Sequence, residues 1–128
     1  MKINNPPPAV PPTTQLVELT RDLTAAAGDV ATTGLGFTPS RLDVVATIST
    51  TFISSTGFSD VSGHCACVWT DYLGAQDGGA YLVFMVTGAA SAQQEVTAVV
   101  YNADGFTLTW AKNGSPTGVV NLKIMASK

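Results

Sequence analysis

The stretch Arg41-Leu-Asp-Val-Val-Ala-Thr-Ile-Ser49 decides the fold class. Leu42, Val44, Ala46 and Ile48 alternate in it with residues that are mostly polar. Successive side chains of a β-strand point to opposite faces, so this period of two indicates a strand with one buried and one exposed face. The stretch therefore predicts a sheet that covers a core on one side.

The same alternation recurs along the rest of the chain, with Gly, Asn and Asp residues marking turns between the segments. Eight or nine short strands are predicted, at about residues 14–24, 28–36, 41–49, 51–60, 64–70, 80–86, 95–101, 106–111 and 118–126. This spacing, without a convincing helix, predicts an all-β fold, an antiparallel β-sandwich over residues 14–128. Within it we expect a bulge or bend at Gly57, a polar loop at residues 71–79, a hairpin turn at residues 102–105 and a central strand covered on both faces at residues 80–86.

A proline-rich segment precedes the sandwich, since five of the seven prolines lie within the first twelve residues. Proline fixes φ near about −65° and lacks an N–H, so this run cannot enter a helix or the middle of a sheet. We expect residues 1–13 to form an extended arm, ordered only when a neighbouring subunit grips it and otherwise a disordered leader. The predicted partner-binding residues of the arm are Ile3, Pro6, Pro7, Pro8, Val10, Pro11 and Pro12.

Composition limits the classes of partner. Charged residues make up 12% of the chain, against roughly 25% in an average globular protein. The formal net charge is −3 at pH 7, and no cluster of Lys and Arg is present, so no nucleic acid partner is expected. No apolar run is long enough to span a bilayer, and no secretion signal is recognised. The mean hydropathy of +0.26 indicates either a large core or apolar surface covered by neighbours.

The residues that most often bind metals are few. Cys65 and Cys67 share one face of a predicted strand, at a spacing awkward for a disulfide, and His64 points to the other face. A zinc site would need two further ligands. We therefore expect reduced, buried cysteines, with neither a metal nor a cofactor.

Candidate catalytic groups are also few. No serine lies in a G-x-S-x-G motif that would pair with His64 as a base. Asp60, Asp71, Asp77 and Asp104 could supply an acid pair, but each lies in a turn-like context, where Asp bonds the local backbone. The turn interpretation is favoured, and the chain is not expected to be an enzyme.

One loop has the composition of a carbohydrate site. An aromatic face stacks on the apolar side of a sugar ring, while amides and carboxylates bond its hydroxyls. The alternative is that the tryptophan belongs to the core and the loop is a solvated turn. The candidate glycan or receptor residues are Trp69, Asp71, Tyr72, Gln76 and Asp77.

Three segments carry a family resemblance: Gly34-Leu-Gly-Phe-Thr-Pro-Ser-Arg-Leu42, Asp104-Gly-Phe-Thr-Leu-Thr-Trp-Ala-Lys-Asn-Gly-Ser-Pro-Thr-Gly118 and Asn121-Leu-Lys-Ile-Met-Ala126. They resemble a small β-sandwich domain in structural proteins of tailed bacteriophages, at the ends of tail fibres and in capsid decoration proteins. The pattern is also similar to H-type lectins, which are trimeric sandwiches. The resemblance covers about residues 30–126. It implies a trimeric virion component without enzymatic activity, and it carries over no sugar site.

The short arm in place of a long fibre shaft favours one member of this group. We expect a capsid decoration (cement) protein, assembled in the host cytoplasm, that binds the major capsid protein through its arm and sandwich faces. One alternative is the receptor-binding or carbohydrate-binding tip of a tail or head fibre, which would bind a host surface glycan. Another is a tail or baseplate accessory protein.

Overall fold

The computed structural model describes residues 13–128, which contain ten strands and no helix. The strands form a six-stranded sheet in the order β1-β10-β3-β4-β5-β6 and a four-stranded sheet in the order β2-β9-β8-β7, with all pairs antiparallel. The predicted all-β antiparallel sandwich is confirmed. The strands are β1 (Thr14–Asp22), β2 (Gly28–Thr32), β3 (Arg41–Ile48), β4 (Ser54–Asp60), β5 (Cys65–Thr70), β6 (Gln76–Gly79), β7 (Val83–Gly88), β8 (Ala92–Asn102), β9 (Gly105–Asn113) and β10 (Val119–Ser127).

The core lies between the two sheets. Leu42, Val44 and Ala46 of β3 are all buried, as their alternation predicts. Leu108 and Trp110 of β9 cover them from the other sheet as members of the same apolar cluster. Full burial of a large apolar side chain contributes about 1.5–3 kcal/mol relative to exposure, so this interface dominates the stability of the sandwich.

A buried glutamine makes hydrogen bonds to the connection that crosses from β1 to β2. The side chain of Gln94 is fully buried. Its Oε1 accepts hydrogen bonds from Nε and Nη2 of Arg21, both at 3.1 Å, and its Nε2 donates to the carbonyls of Leu23 and Ala25, both at 2.8 Å. The Arg21 guanidinium also lies 5.0 Å from the ring centre of Trp110. These contacts join an edge of the six-stranded sheet to the four-stranded sheet.

The prediction of a polar loop at residues 71–79 is wrong for the second half of this segment, which forms β6. This additional strand raises the number of strands to ten. Trp69 pairs with Asp77 across β5 and β6. The segment contains two glycines and no apolar alternation, so its local propensity opposes a strand. The adjacent edge of β5 supplies the hydrogen-bonding partners that the local sequence does not indicate.

The prediction that residues 80–86 form a central strand is wrong in its position within the sheet. β7 lies at the edge of the four-stranded sheet, yet both of its faces are covered. Met85 belongs to the core, whereas Phe84 stacks on Trp69 of β5. The Phe84 N–H donates to Oγ of Ser55 at 3.1 Å, so a side chain of the other sheet satisfies an edge backbone group. The apolar run therefore reflects burial on both faces and not a central position.

Gly57 shows neither a bulge nor a bend in the pairing of its strand, contrary to prediction. It pairs in regular register with Val44 and Cys67. A Cβ at this position would overlap the carbonyl oxygen of Leu82 and lie 2.6 Å from the Cβ of Cys67. Glycine is needed here because the chain entering β7 passes directly over β4.

Candidate functional site

The five residues selected as a glycan or receptor site line one pocket of about 370 Å³. They come from the end of β5, the turn after it and the beginning of β6. The structure thus brings the whole predicted group together, and its binding of a glycan stays a prediction. The group comprises Trp69, Asp71, Tyr72, Gln76 and Asp77.

Stacked aromatic rings form one wall of this pocket. The Trp69 and Phe84 ring centres are 4.1 Å apart with an interplanar angle of 19°. Tyr81 lies 4.8 Å from Phe84 and tilts by 54°. Trp69 is only partly buried and stands outside the main core cluster. Its indole is therefore held rigid from one side and keeps surface in the pocket.

The two carboxylates of the pocket bond the backbone next to them. Oδ1 of Asp71 accepts hydrogen bonds from the N–H groups of Leu73 at 2.8 Å and Ala75 at 2.9 Å, so Asp71 has the predicted turn role. Oδ1 of Asp77 accepts one from the N–H of Gly78 at 2.8 Å. Asp77 lies in β6 and not in the predicted turn, because the segment pairs with β5. Each carboxylate still has a second oxygen for a ligand.

The other two candidate carboxylates serve the backbone as well. Asp60 accepts from the N–H and Nδ1 of His64, at 3.1 and 3.0 Å, and the side-chain bond holds the pKa of Asp60 below its usual range. Asp104, in the predicted β8–β9 hairpin turn, accepts from the N–H groups of Gly34 at 3.0 Å and Gly36 at 2.7 Å. Asp60, at the end of β4, and Asp104, in the β8–β9 turn, therefore belong to different elements, and neither lines the pocket with Asp71 and Asp77.

The strands predicted at residues 80–86 and 95–101 do not indicate the opposite wall of the pocket, which consists of the end of β7 and the turn into β8. Residues 88–91 and Gln93 line it. Ala90 and Ser91 have φ angles of 57° and 55°, and the Ala92 N–H donates to the Ala89 carbonyl at 3.3 Å. Two consecutive left-handed residues define a type I′ turn, which favours Asn-Gly. Ala-Ser carries no such signal, so the wall could not be found from the sequence.

A second candidate surface is the outer face of the six-stranded sheet. Val45 and Val68 are 47% and 63% exposed there, although both are strand residues in the middle of the sheet. The register places Thr56 directly between them. Leu16 pairs with Met125 at the β1 side of the same face, and both are exposed. These five residues form a surface that we call the outer apolar face.

The charges around the outer apolar face are neutralised by one another. Nζ of Lys123 lies 2.9 Å from a carboxylate oxygen of Glu18. The Arg41 guanidinium lies 2.9 Å from the carboxylate of Asp43 and also covers the ring of Phe58 at 4.5 Å. Both ion pairs lie within the face, because Asp43 is opposite Met125 and Lys123 is opposite Val45. The apolar side chains of the face therefore alternate with two neutralised ion pairs.

The cysteines behave as small apolar residues. Cys65 and Cys67 are both free, and burial raises the pKa of each thiol. In residues 13–128, no group of three or more His, Cys, Asp or Glu side chains is arranged to hold a metal ion. The described part of the chain also lacks any helix long and apolar enough to cross a membrane.

The predicted arm contacts cannot be placed on this framework. Ile3, Pro6, Pro7, Pro8, Val10, Pro11 and Pro12 lie outside the described residues.

The comparisons with known proteins add no family to this architecture. No protein-family model matches the chain, and neither a curated protein nor a solved structure shows a significant similarity to it. The class of protein is thus an antiparallel β-sandwich with one aromatic-walled pocket and one outer apolar face.

Proposed function

We propose that the chain is a non-catalytic decoration protein of a bacteriophage head, which docks on the major capsid protein through the outer apolar face and the N-terminal arm. The observation that supports this proposal is the exposure of Val45 and Val68 in the middle of a six-stranded sheet. Burying such surface is favourable, and apolar cores with polar rims are typical of protein interfaces. The resemblance to phage structural domains supplies the virion location and the trimeric state as parts of the same proposal.

The outer side of the whole six-stranded sheet, in which the outer apolar face lies, has a size that suits this role. Six strands about 4.8 Å apart, all but β6 being six to nine residues long, span at most roughly 24 by 26 Å. An area of that order approaches the ~800 Å² that each partner buries in a standard interface. The ion pairs that lie between its apolar side chains already satisfy their own charges, so docking leaves no unpaired charge buried.

Binding to undecorated capsids tests the proposal. We expect purified protein to co-sediment with the particles, and Val45→Lys with Val68→Lys to weaken binding at least about tenfold, because two ammonium groups would be desolvated. Val100→Lys is the matched control, since Val100 is 54% exposed on β8 of the other sheet; its binding should stay within about twofold.

Deletion of residues 1–12 tests the arm in the same assay, and we expect weaker binding. Full binding by the double lysine variant would overturn docking through the outer apolar face. Unchanged binding after the deletion would remove the arm from the proposal.

A second candidate function is receptor or carbohydrate binding at the pocket. The observation that favours it is that five residues chosen for sugar-binding chemistry line one pocket. A glycan array with the wild-type protein tests it, with Gln76→Ala expected to lose most of the signal. Gln76 is exposed and begins an edge strand, so this substitution should leave the fold intact. Gln15→Ala, on exposed β1, is the control and should bind as the wild type does.

A further inference from the structure

We infer that the pocket around Trp69 and Tyr72 selects uncharged sugars and rejects anionic ones such as sialylated, uronic or sulfated glycans. This inference rests on the carbohydrate-binding function proposed above and specifies the ligand class of that pocket. The geometry of its two walls and the charges of its lining carry the argument.

The pocket has a rigid shape before any ligand arrives. One wall is the Trp69–Phe84 stack, and the other is the turn that contains Ala90 and Ser91. The volume of about 370 Å³ lies within the ~300–1,000 Å³ range of small-molecule sites. Partly buried Trp69 and Tyr72 supply aromatic surface, which suits the apolar side of a sugar ring.

The polar groups of the lining favour hydrogen-bond donors on the ligand. Oδ1 of Asp71 accepts from two N–H groups of the turn, and Oδ1 of Asp77 accepts from the N–H of Gly78 in β6. In the described part of the chain, Oδ2 of neither residue accepts a hydrogen bond from the protein. Gln76 and Gln93 add amides that can both donate and accept. Sugar hydroxyls match this set, because each hydroxyl donates once and accepts as well.

The same lining disfavours a negative charge. No Lys, Arg or His side chain belongs to the described residues that line the pocket, whereas Asp71 and Asp77 do. A third carboxylate lies just behind the lining, because Nε2 of Gln93 donates to Oε2 of Glu95 at 3.3 Å. An anionic ligand in the pocket would lie beside these carboxylates, and like charges repel. Recognition of an anionic glycan usually relies on Arg or Lys, and none lines this pocket.

An array of matched glycans tests the inference, in which each neutral oligosaccharide is printed beside its sialylated and sulfated forms. We expect the wild-type chain to bind neutral members at least about tenfold more tightly than their anionic partners. Raising the salt concentration should narrow that ratio, because ions screen the repulsion.

The double variant Asp71→Asn with Asp77→Asn assigns the selectivity to the carboxylates. Asparagine keeps the side-chain oxygen that accepts from the turn N–H groups, so the loop should persist. We expect binding of anionic glycans to rise and the neutral-to-anionic ratio to fall at least threefold. The matched control is Glu18→Gln, a carboxylate exposed on β1, which should leave the ratio unchanged.

The outcomes distinguish failure of the proposed selectivity from failure of the proposed carbohydrate binding. Equal or tighter binding of sialylated or sulfated glycans would overturn the inference and leave carbohydrate binding in place. An unchanged ratio in the double variant would also overturn it, since the carboxylates would then not set the selectivity. Failure to bind any printed glycan would overturn the carbohydrate function itself.

Discussion

Gln94 joins the two sheets at the β1–β2 crossover and hydrogen-bonds three groups there. These are the guanidinium of Arg21 and the carbonyls of Leu23 and Ala25. Both the amide oxygen and the amide nitrogen are used, so no hydrophobic side chain can replace it. A fully satisfied polar group of this kind fixes one arrangement of the chain, because any shift breaks several hydrogen bonds together.

Replacement of the Gln94 side chain should lower the stability of the fold. Gln94→Leu keeps the volume approximately and removes every hydrogen bond, so the free energy of unfolding should fall by about 2–4 kcal/mol. Gln15→Leu, exposed on β1, is the control and should change it by no more than about 0.5 kcal/mol. Urea unfolding followed by tryptophan fluorescence measures both. A loss below about 1 kcal/mol for Gln94→Leu would show that water replaces the glutamine at little cost.

The sequence predicted the burial of single residues well where a periodic pattern determines it. It predicted the roles of residues poorly where these depend on contacts with parts of the chain that are distant in sequence. Leu42, Val44 and Ala46 are buried as their alternation requires. Gln94 lies between polar neighbours, and nothing local distinguishes it from an exposed strand residue. Gly57 is explained by its close contacts with Leu82, which is remote in sequence and crosses over it in the fold, and with Cys67 of the neighbouring strand.

Among the elements, the β7–β8 turn carries backbone strain that substitution can relieve. Ala90 and Ser91 both occupy the left-handed region, which costs an L-residue roughly 1–2 kcal/mol. Ala90→Asn with Ser91→Gly supplies the residues that a type I′ turn favours. We expect a stability gain of about 1–2 kcal/mol and a Tm higher by about 2–8 °C, measured by calorimetry.

A second hairpin provides the control for that prediction. Asn102 pairs with Gly105 across a two-residue loop, and its central residues Ala103 and Asp104 are not among those with positive φ. Ala103→Gly should therefore lower stability by about 0.5–1 kcal/mol, because glycine adds only unfolded-state entropy there. Equal effects at both turns would contradict the assignment of strain to the β7–β8 turn.

The β4–β5 turn should make stability depend on acid pH. The hydrogen bond from His64 is the largest cause that lowers the pKa of Asp60 in the folded chain. The ionised carboxylate then contributes stability above its unfolded pKa of about 3.9, and this contribution is lost as the pH falls through the folded value. Asp60→Asn keeps an acceptor for the backbone and removes the charge.

We expect the stability difference between wild type and Asp60→Asn to be largest near pH 6 and to shrink towards pH 3. Urea midpoints across that range measure it. Asp22 has a pKa that is also lowered, chiefly by the hydroxyl of Thr24, but it is present in both proteins and cancels in the difference. A gap that is the same at pH 6 and pH 3 would count against the Asp60 assignment.

Element boundaries show where local sequence stops being informative. β3 was predicted almost to the residue, because its alternation continues to its ends. The strand β6 and the edge position of β7 were not predicted, because β6 forms on the edge of β5 and β7 is covered by Trp69 of the other sheet. The five pocket residues were selected by their chemistry alone. Their shared pocket depends on β7 and its turn, which the sequence could not place.

At the scale of the whole molecule, the chain closes on itself. β10, the last strand, lies between β1 and β3 in the six-stranded sheet. The N–H of Lys128 donates to the carbonyl of Thr13 at 2.8 Å, so the first and last described residues are adjacent. The sheet therefore stays incomplete until β10 has been made. Pairing of such distant segments slows folding, because the loop must close before its contacts form.

A circular permutant tests whether the long-range pairing of β1 with β10 slows folding. Lys128 is joined to Thr13 by Asn-Gly, which turns β10 and β1 into a hairpin, and the new ends lie between Gly114 and Ser115 in the exposed β9–β10 loop. We expect stability within about 1 kcal/mol of the wild type, because every strand pair is retained, and faster refolding, because the β1–β10 pairing becomes local. Stopped-flow refolding into low urea measures the rate. Refolding no faster than the wild type would place the rate-limiting step in the four-stranded sheet, where β2 must still find β9 across most of the chain.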